Sequence, residues 1–186
     1  MKLKNIITVI LLLITTITVK SQTNINIGAG YYGESLTYPG IVGEIEYEKF
    51  HTNKFSTPLK LNIGFYNHPR SHNALFVDLH EGFRRYSKNS RWYYEQSVGF
   101  GIMLSFYNED VWHIDENDRA AYVSNTANLD YLPSITFGGG FNLTPEKESS
   151  NYIWIRPKVS WQFPFNTLAL PHIAVQFGYS LTLKTK

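Results

Sequence analysis

The sequence has no cysteine, so its fold must stand without disulfides. Beyond residue 20 it has no apolar run of the ~18–20 residues needed for a spanning helix, so any membrane insertion would have to use strands. Internal repeats and low-complexity tracts are absent. No phosphate-cradling glycine loop occurs, because Gly138–Gly140 falls inside a strand pattern, where glycine relieves crowding or permits curvature. A large charge excess is missing too: 17 Lys and Arg stand against 15 Asp and Glu.

The N-terminus reads as a secretory signal. Lys2 and Lys4 precede the apolar and Thr run Ile6–Val19, and Val19-Lys20-Ser21 offers a cleavage site before Gln22. The run is too short for a ~20-residue anchor. The expected organisation is a cleaved signal over 1–21 and one domain over 22–186. Lys2, Lys4 and Lys20 leave with the signal, so 14 basic residues of the 17 remain against 15 acidic ones, a formal net charge of −1. That balance gives no footing for nucleic-acid binding.

What the sequence does have is aromatic residues and alternation. Its 12 Phe, 13 Tyr and 4 Trp all lie beyond the signal. In Asn151–Phe163, Ile153, Ile155, Val159, Trp161 and Phe163 alternate with Tyr152, Trp154, Arg156, Lys158, Ser160 and Gln162. From His172, the residues Ile173, Val175, Phe177, Tyr179, Leu181 and Leu183 repeat the period of two, which is the mark of a strand with one apolar face. These runs exceed the usual five or six residues of a globular strand.

The same pattern marks strands over Thr23–Gly33, Gly40–Phe50, Pro58–Tyr66, Asn73–Tyr86, Arg91–Tyr107 and Tyr131–Leu143, eight in all. His51–Thr57 reads as a turn, with Pro58 at a strand start where it needs no ladder donor. Pro157 falls mid-strand and predicts a bulge. Glu81 and Gln96 interrupt the outward faces of their strands and are expected to pair near one interface. Asn108–Asp130 is the one long connection. The fold class is an eight-stranded antiparallel up-and-down transmembrane β-barrel, with short turns at one end and the long loop at the other. From Tyr94 to Phe106 a strand tilted by ~45° climbs roughly 28 Å, close to the apolar band between aromatic girdles. Trp161, Phe163, Tyr31 and Phe65 join the girdle on the loop side.

A soluble barrel would show the same alternation turned inside out. Strand length, aromatic ends and a polar phase rich in Gly and Ser favour the membrane. In phrases such as Phe76–Tyr86 (FVDLHEGFRRY) and Glu95–Tyr107 (EQSVGFGIMLSFY), and in the Gln22 start, the chain resembles the small eight-stranded outer-membrane barrels of Gram-negative bacteria, of the Bacteroidota type. The resemblance covers the whole of 22–186 and carries no catalytic motif. It implies residence in outer-membrane lipid, insertion by the outer-membrane assembly machinery, and a monomer. The chain departs from many members by ending Leu183-Lys184-Thr185-Lys186 instead of on an aromatic signal, a place that Tyr179 or Leu183 would take.

The inward phase carries Glu44, Glu46, Glu48, Asp78 and Glu95 against Lys60, Arg84, Arg156 and Lys158, together with His80. An eight-stranded barrel is just wide enough for its own side chains, so these charges are expected to pair and plug it. The competing reading is a narrow proton or ion path. His68, His72, His113 and His172 fall near the loop end without ligand spacing, so solvation is expected and no metal or cofactor. No His-x-Ser pair stands on an apolar face, and Ser71-His72 lacks an orienting acid, so no catalytic residue is assigned. The expected role is structural, or interactive through the loop, where Trp112, His113, Asp115 and Tyr122 would meet an unidentified surface partner. The alternatives are a lipid-modifying outer-membrane enzyme and a soluble periplasmic lipid binder.

Overall fold

The computed structural model describes residues 22–35, 37–69, 72–107, 111–114, 120–123, 127–144, 150–165 and 168–183. The expected signal segment lies outside them. The strands are β1 (Thr23–Glu34), β2 (Tyr38–Thr52), β3 (Phe55–His68), β4 (His72–Tyr86), β5 (Trp92–Tyr107), β6 (Val111–Ile114), β7 (Ala120–Val123), β8 (Ala127–Tyr131), β9 (Ser134–Asn142), β10 (Asn151–Phe165) and β11 (Leu168–Leu183). Consecutive wall strands pair antiparallel, and β11 pairs back onto β1, so the sheet closes on itself.

The wall has eight members because β8 and β9 are two halves of one strand. Both halves pair with β5 on one side and β10 on the other. Between them Leu132 exchanges backbone hydrogen bonds of 3.0 and 2.8 Å with Gly101, and the Pro133 carbonyl accepts from Trp161 N at 3.0 Å. The ladder therefore passes Pro133, which has no N–H of its own to give. This strand starts at Ala127, so the long connection is shorter than Asn108–Asp130. Inside that connection β6 and β7 form a separate hairpin.

Side chains sort by parity as the alternation requires. Ile41, Val98 and Ile173 are 69%, 64% and 61% exposed on the outside, whereas Glu95 and Glu46 are 0% and 1% exposed within. A soluble barrel would reverse this arrangement. An apolar exterior around a charged interior, with every wall strand paired on both sides, is the solution a lipid solvent demands. The fold is an eight-stranded up-and-down transmembrane β-barrel.

Four local expectations are corrected. The turn over His51–Thr57 contracts to Asn53-Lys54, because Thr52 Oγ1 accepts from the N–H groups of Lys54 and Phe55 at 3.2 and 3.1 Å and closes it early. Pro58 consequently sits inside β3, opposite Glu48. Pro157 makes no bulge. Its ladder to β9 opens after Ile155–Gly139 and resumes at Lys158–Thr136 in unchanged register, and Pro58 does the same towards β4 between Ser56–Arg84 and Leu59–Glu81. The irregularities in β2 and β10 fall instead between Phe50 and Thr52 and between Gln162 and Phe165. Finally, the stretch between Phe163 and His172, which falls outside both alternating runs, is largely strand, since β10 runs to Phe165 and β11 begins at Leu168.

Candidate functional site: the charged lumen and its mouth

All ten inward residues read from the sequence are buried in the lumen. Because β2 presents Glu44, Glu46 and Glu48 on one face, their carboxylates form a column. Arg84 from β4 meets that column. Its Nη1 and Nη2 donate to the two oxygens of Glu46 at 2.8 and 2.5 Å, and its Nε and Nη2 donate to Glu95 Oε2 at 2.9 and 2.6 Å. Lys60 donates to the other Glu95 oxygen at 2.7 Å, and Arg156 Nε lies 2.5 Å from it. Arg156 in turn pairs with Glu44. One network thus joins four acids to three bases.

Glu48 is the surplus acid of that network, and its donors are mostly neutral. It accepts from Ser56 Oγ, from Tyr86 OH at 2.6 Å and from Asn26 Nδ2 at 3.4 Å, with Arg84 Nη1 at 3.1 Å. Hydroxyl and amide donors can hold a carboxylate that lacks a base of its own.

A second cluster lies further along β4. Asp78 pairs with Lys158, accepts from Asn62 Nδ2 at 2.7 Å and lies 3.1 Å from His80 Nε2. Ser134 Oγ is 3.3 Å from that same Nε2. Serine, histidine and aspartate therefore converge on one ring nitrogen, whereas a base that activates a serine needs the acid on the opposite nitrogen. His80 Nδ1 meets no hydrogen-bond partner and packs against Gly99, where a Cβ would come within 2.5 Å of it.

Aromatic layers bracket the charges. Towards the turns, Phe50, Tyr86, Tyr93 and Tyr152 run ring to ring at 5.6–5.8 Å. Towards the loops, Tyr32 packs on Phe76 at 4.7 Å and on Tyr66 at 5.7 Å. The cations lie over these rings: Arg84 is 4.2 Å from the Tyr93 centroid, Arg156 4.0 Å from Trp154 and Lys158 4.8 Å from Phe76. These aromatics were absent from the candidate residues read from the sequence. Their signal was parity, since Tyr86, Tyr93, Tyr152 and Trp154 all share the inward phase. Trp154 fits because Gly178 faces it; a Cβ there would lie 2.3 Å from its Cζ2.

The histidines near the loop end are not simply solvated. His72 and His172 are buried. His68 stacks on Tyr38 at 3.6 Å and on His72 at 5.6 Å, and Tyr66 OH is 3.1 Å from His72 Nε2. His172 Nδ1 lies 3.0 Å from Glu34 Oε1, while its Nε2 lies 3.0 Å from Gln162 Oε1; the Gln162 amide donates to Asp130 at 2.7 Å. Among the described residues no group of three or more His, Asp and Glu is arranged for a metal.

Within the loop, the hairpin sets Trp112 opposite Tyr122 and His113 opposite Ala121. Asp115 and Ser71 lie outside the described residues. On the outer wall Glu81 and Gln96 are not register partners. Glu81 faces Val98 and Gln96 faces Phe83, so the two are diagonal neighbours, and Gln96 Oε1 accepts from Tyr94 OH at 3.2 Å.

In fold the chain is similar to Neisserial surface protein A, at 8% identity over 90% of this chain and 100% of that one, with a TM-score of 0.56. It is also similar to the N-terminal β-barrel domain of OprF from Pseudomonas aeruginosa (14% identity, 88% and 100% covered, TM-score 0.49). A further similar structure is the outer membrane protein OprG from Pseudomonas aeruginosa (8% identity, 89% and 98% covered, TM-score 0.42). At such identities the likeness is one of fold. No protein-family model and no curated protein sequence matches the chain.

Proposed function

We propose that the chain is an outer-membrane barrel with a sealed lumen, structural in the membrane and interactive at the cell surface through the connection between β5 and β8, residues 108–126. The observation that carries this reading is the interlocked lumen. Ions need a continuous wet path, and here buried carboxylates, guanidiniums and aromatic layers occupy the axis from the Phe50–Tyr152 end to the His172–Glu34 mouth. Ion pairs that join non-neighbouring strands, such as Arg84–Glu46 and Arg156–Glu44, also fix register, a role for which polar cores are suited. With the lumen filled, recognition falls to the loops, and in the β6–β7 hairpin on the longest of them Trp112 and Tyr122 are register partners.

The test combines location and conductance. The membrane fraction should hold the protein in a form whose gel mobility changes on heating, and the purified barrel in planar bilayers should give no stepwise current. A soluble protein without heat-dependent mobility, or regular single-channel steps, would overturn the reading. Deleting residues 109–125, which lie between the wall strands β5 and β8, should leave assembly intact and abolish surface binding; unchanged binding would remove the loop from the account.

A further inference from the structure

Two polar side chains stand on the lipid-facing wall with hydrogen-bonding capacity to spare. Glu81 and Gln96 are both exposed on the outward phase, diagonal to each other across β4 and β5. Among the described residues nothing hydrogen-bonds the Glu81 carboxylate. Gln96 Oε1 is taken by Tyr94 OH at 3.2 Å, so the amide N–H groups are what Gln96 has left to offer. Between the two the wall is bare, because Gly82 and Ser97 belong to the inward phase and show only backbone outside. That bare patch floors a notch of about 370 Å³ rimmed by Phe83, Val98, Ile135 and Phe137. An acceptor and a donor thus flank an apolar notch, where lipid tails can satisfy neither.

The register of the wall puts the two at one depth. Followed from partner to partner through Glu81, Val98 and Ile173, the ladder that leaves β1 at Ile25 returns to it at Ser35, ten residues nearer the loops. Eight strands ~4.8 Å apart that close over ten residues of ~3.3 Å rise are tilted by about 40°. Crossing from Glu81 to Val98 then climbs roughly 3 Å towards the loops, and the two residues back along β5 to Gln96 descend roughly 5 Å. Gln96 therefore lies within about 2 Å of the depth of Glu81 and roughly 8 Å from it around the wall. Val98 and Phe83 fall midway between them, one above and one below.

We propose that this face is a homodimer interface, with a two-fold axis along the membrane normal passing between Glu81 and Gln96. Such an axis preserves depth and exchanges the two positions, so each Glu81 carboxylate accepts from the partner's Gln96 amide and the contact is made twice. The face presents the donor and the acceptor that it itself lacks, which is why a second copy fits it. Lipid headgroups fit it less well, because Gln96 lies two residues inside the girdle residue Tyr94, roughly 5 Å deeper. The inference rests on the membrane reading and departs from the monomer that the family resemblance implied.

The test exploits a chain without cysteine. Val98→Cys sets a thiol almost on the axis, so oxidation of the folded barrel in vesicles should link two copies, whereas Ile173→Cys, four strands away round the wall, should link none. Association of labelled barrels, read by energy transfer at graded protein-to-lipid ratios, should weaken about ten-fold or more on Glu81→Leu or Gln96→Leu, each of which removes both hydrogen bonds. Glu81→Gln with Gln96→Glu keeps an acid opposite an amide and should keep the dimer; Gln96→Glu alone sets acid against acid and should lose it. In vesicles dilute enough to hold single barrels, Glu81→Leu should raise stability, since a lone acid there faces lipid. Linkage through Ile173→Cys but not Val98→Cys, barrels single at every ratio, or association indifferent to Glu81→Leu and Gln96→Leu would overturn the interface. So would a lipid retained by single barrels and lost on Glu81→Leu. A wild type with no heat-modifiable folded form would overturn the membrane reading, and the interface with it.

Discussion

Arg84 grips Glu46 through both terminal guanidinium nitrogens, at 2.8 and 2.5 Å, across 38 residues of sequence. The pair ties β4 to β2, two strands that are not neighbours in the wall, and so braces the barrel through its middle. The same guanidinium holds Glu95 on β5. Removing it would leave Glu46, Glu48 and Glu95 crowded together with Lys60 and Arg156 as the remaining bases.

Arg84→Leu should therefore destabilise the folded barrel by about 3–5 kcal/mol, the range for stranding a buried charge. Denaturant titration in lipid vesicles, read by heat-modifiable mobility, measures it. Glu48→Gln should cost no more than about 1 kcal/mol, because Ser56, Tyr86 and Asn26 hydrogen-bond an amide nearly as well and the network loses its surplus negative charge. Equal costs for the two variants would contradict the assignment of Glu48 as the surplus acid.

Gly178→Val should cost roughly 1–3 kcal/mol by overpacking, since its Cβ would fall inside the van der Waals surface of Trp154. The shift should appear both in stability and in the tryptophan emission of the folded state. A variant as stable as the wild type would mean that the indole has room to move, and that the plug is looser than the distances imply.

Glu81→Leu should make the barrel more stable in bilayers. Glu81 faces lipid beside Val98, four residues before Arg85 on the same strand, and an acid there costs up to about 1 kcal/mol if the site lies near the interface. Unfolding midpoints in vesicles of two thicknesses measure this. Loss of stability on the substitution would reveal a partner for the carboxylate.

The wall was legible in the sequence because one rule governs every strand: lipid outside and a crowded polar interior force strict parity, and parity survives without any long-range information. Strand ends were less legible. Thr52, Asn53 and Lys54 close a tight turn through a side-chain hydrogen bond that polarity alone does not announce. The two interior prolines were misjudged for different reasons: Pro58 was read as a strand start, and at Pro157 a bulge was assumed to be the remedy for a missing donor. A ladder that opens locally and resumes in register is the alternative, made tolerable by firm pairing on the other flank, where Pro58 faces Glu48 and Pro157 faces Val175. Within the lumen, sequence named the charges but not their partners. Arg156 and Glu44 are 112 residues apart and meet across the barrel axis, which only closure of the ring decides. The aromatic layers were hidden for a different reason: Trp154 and Tyr93 look like lipid-facing residues until their parity is weighed above their chemistry.

Asp78 and Lys158 offer the sharpest test of pairing in the second cluster. They come from β4 and β10, so their ion pair crosses the lumen, and Asp78 also takes Asn62 and His80. Lys158→Met should cost about 3 kcal/mol, because it leaves a buried carboxylate with neutral donors in place of a cation. Asp78→Asn should cost a similar amount by leaving the ammonium over Phe76 with no counter-charge nearby. The double variant should recover a large part of both losses, giving a coupling of at least about 1–3 kcal/mol in a double-mutant cycle. Additive losses would mean that the two residues act on stability independently, and that the lumen is braced by the Arg84 network alone.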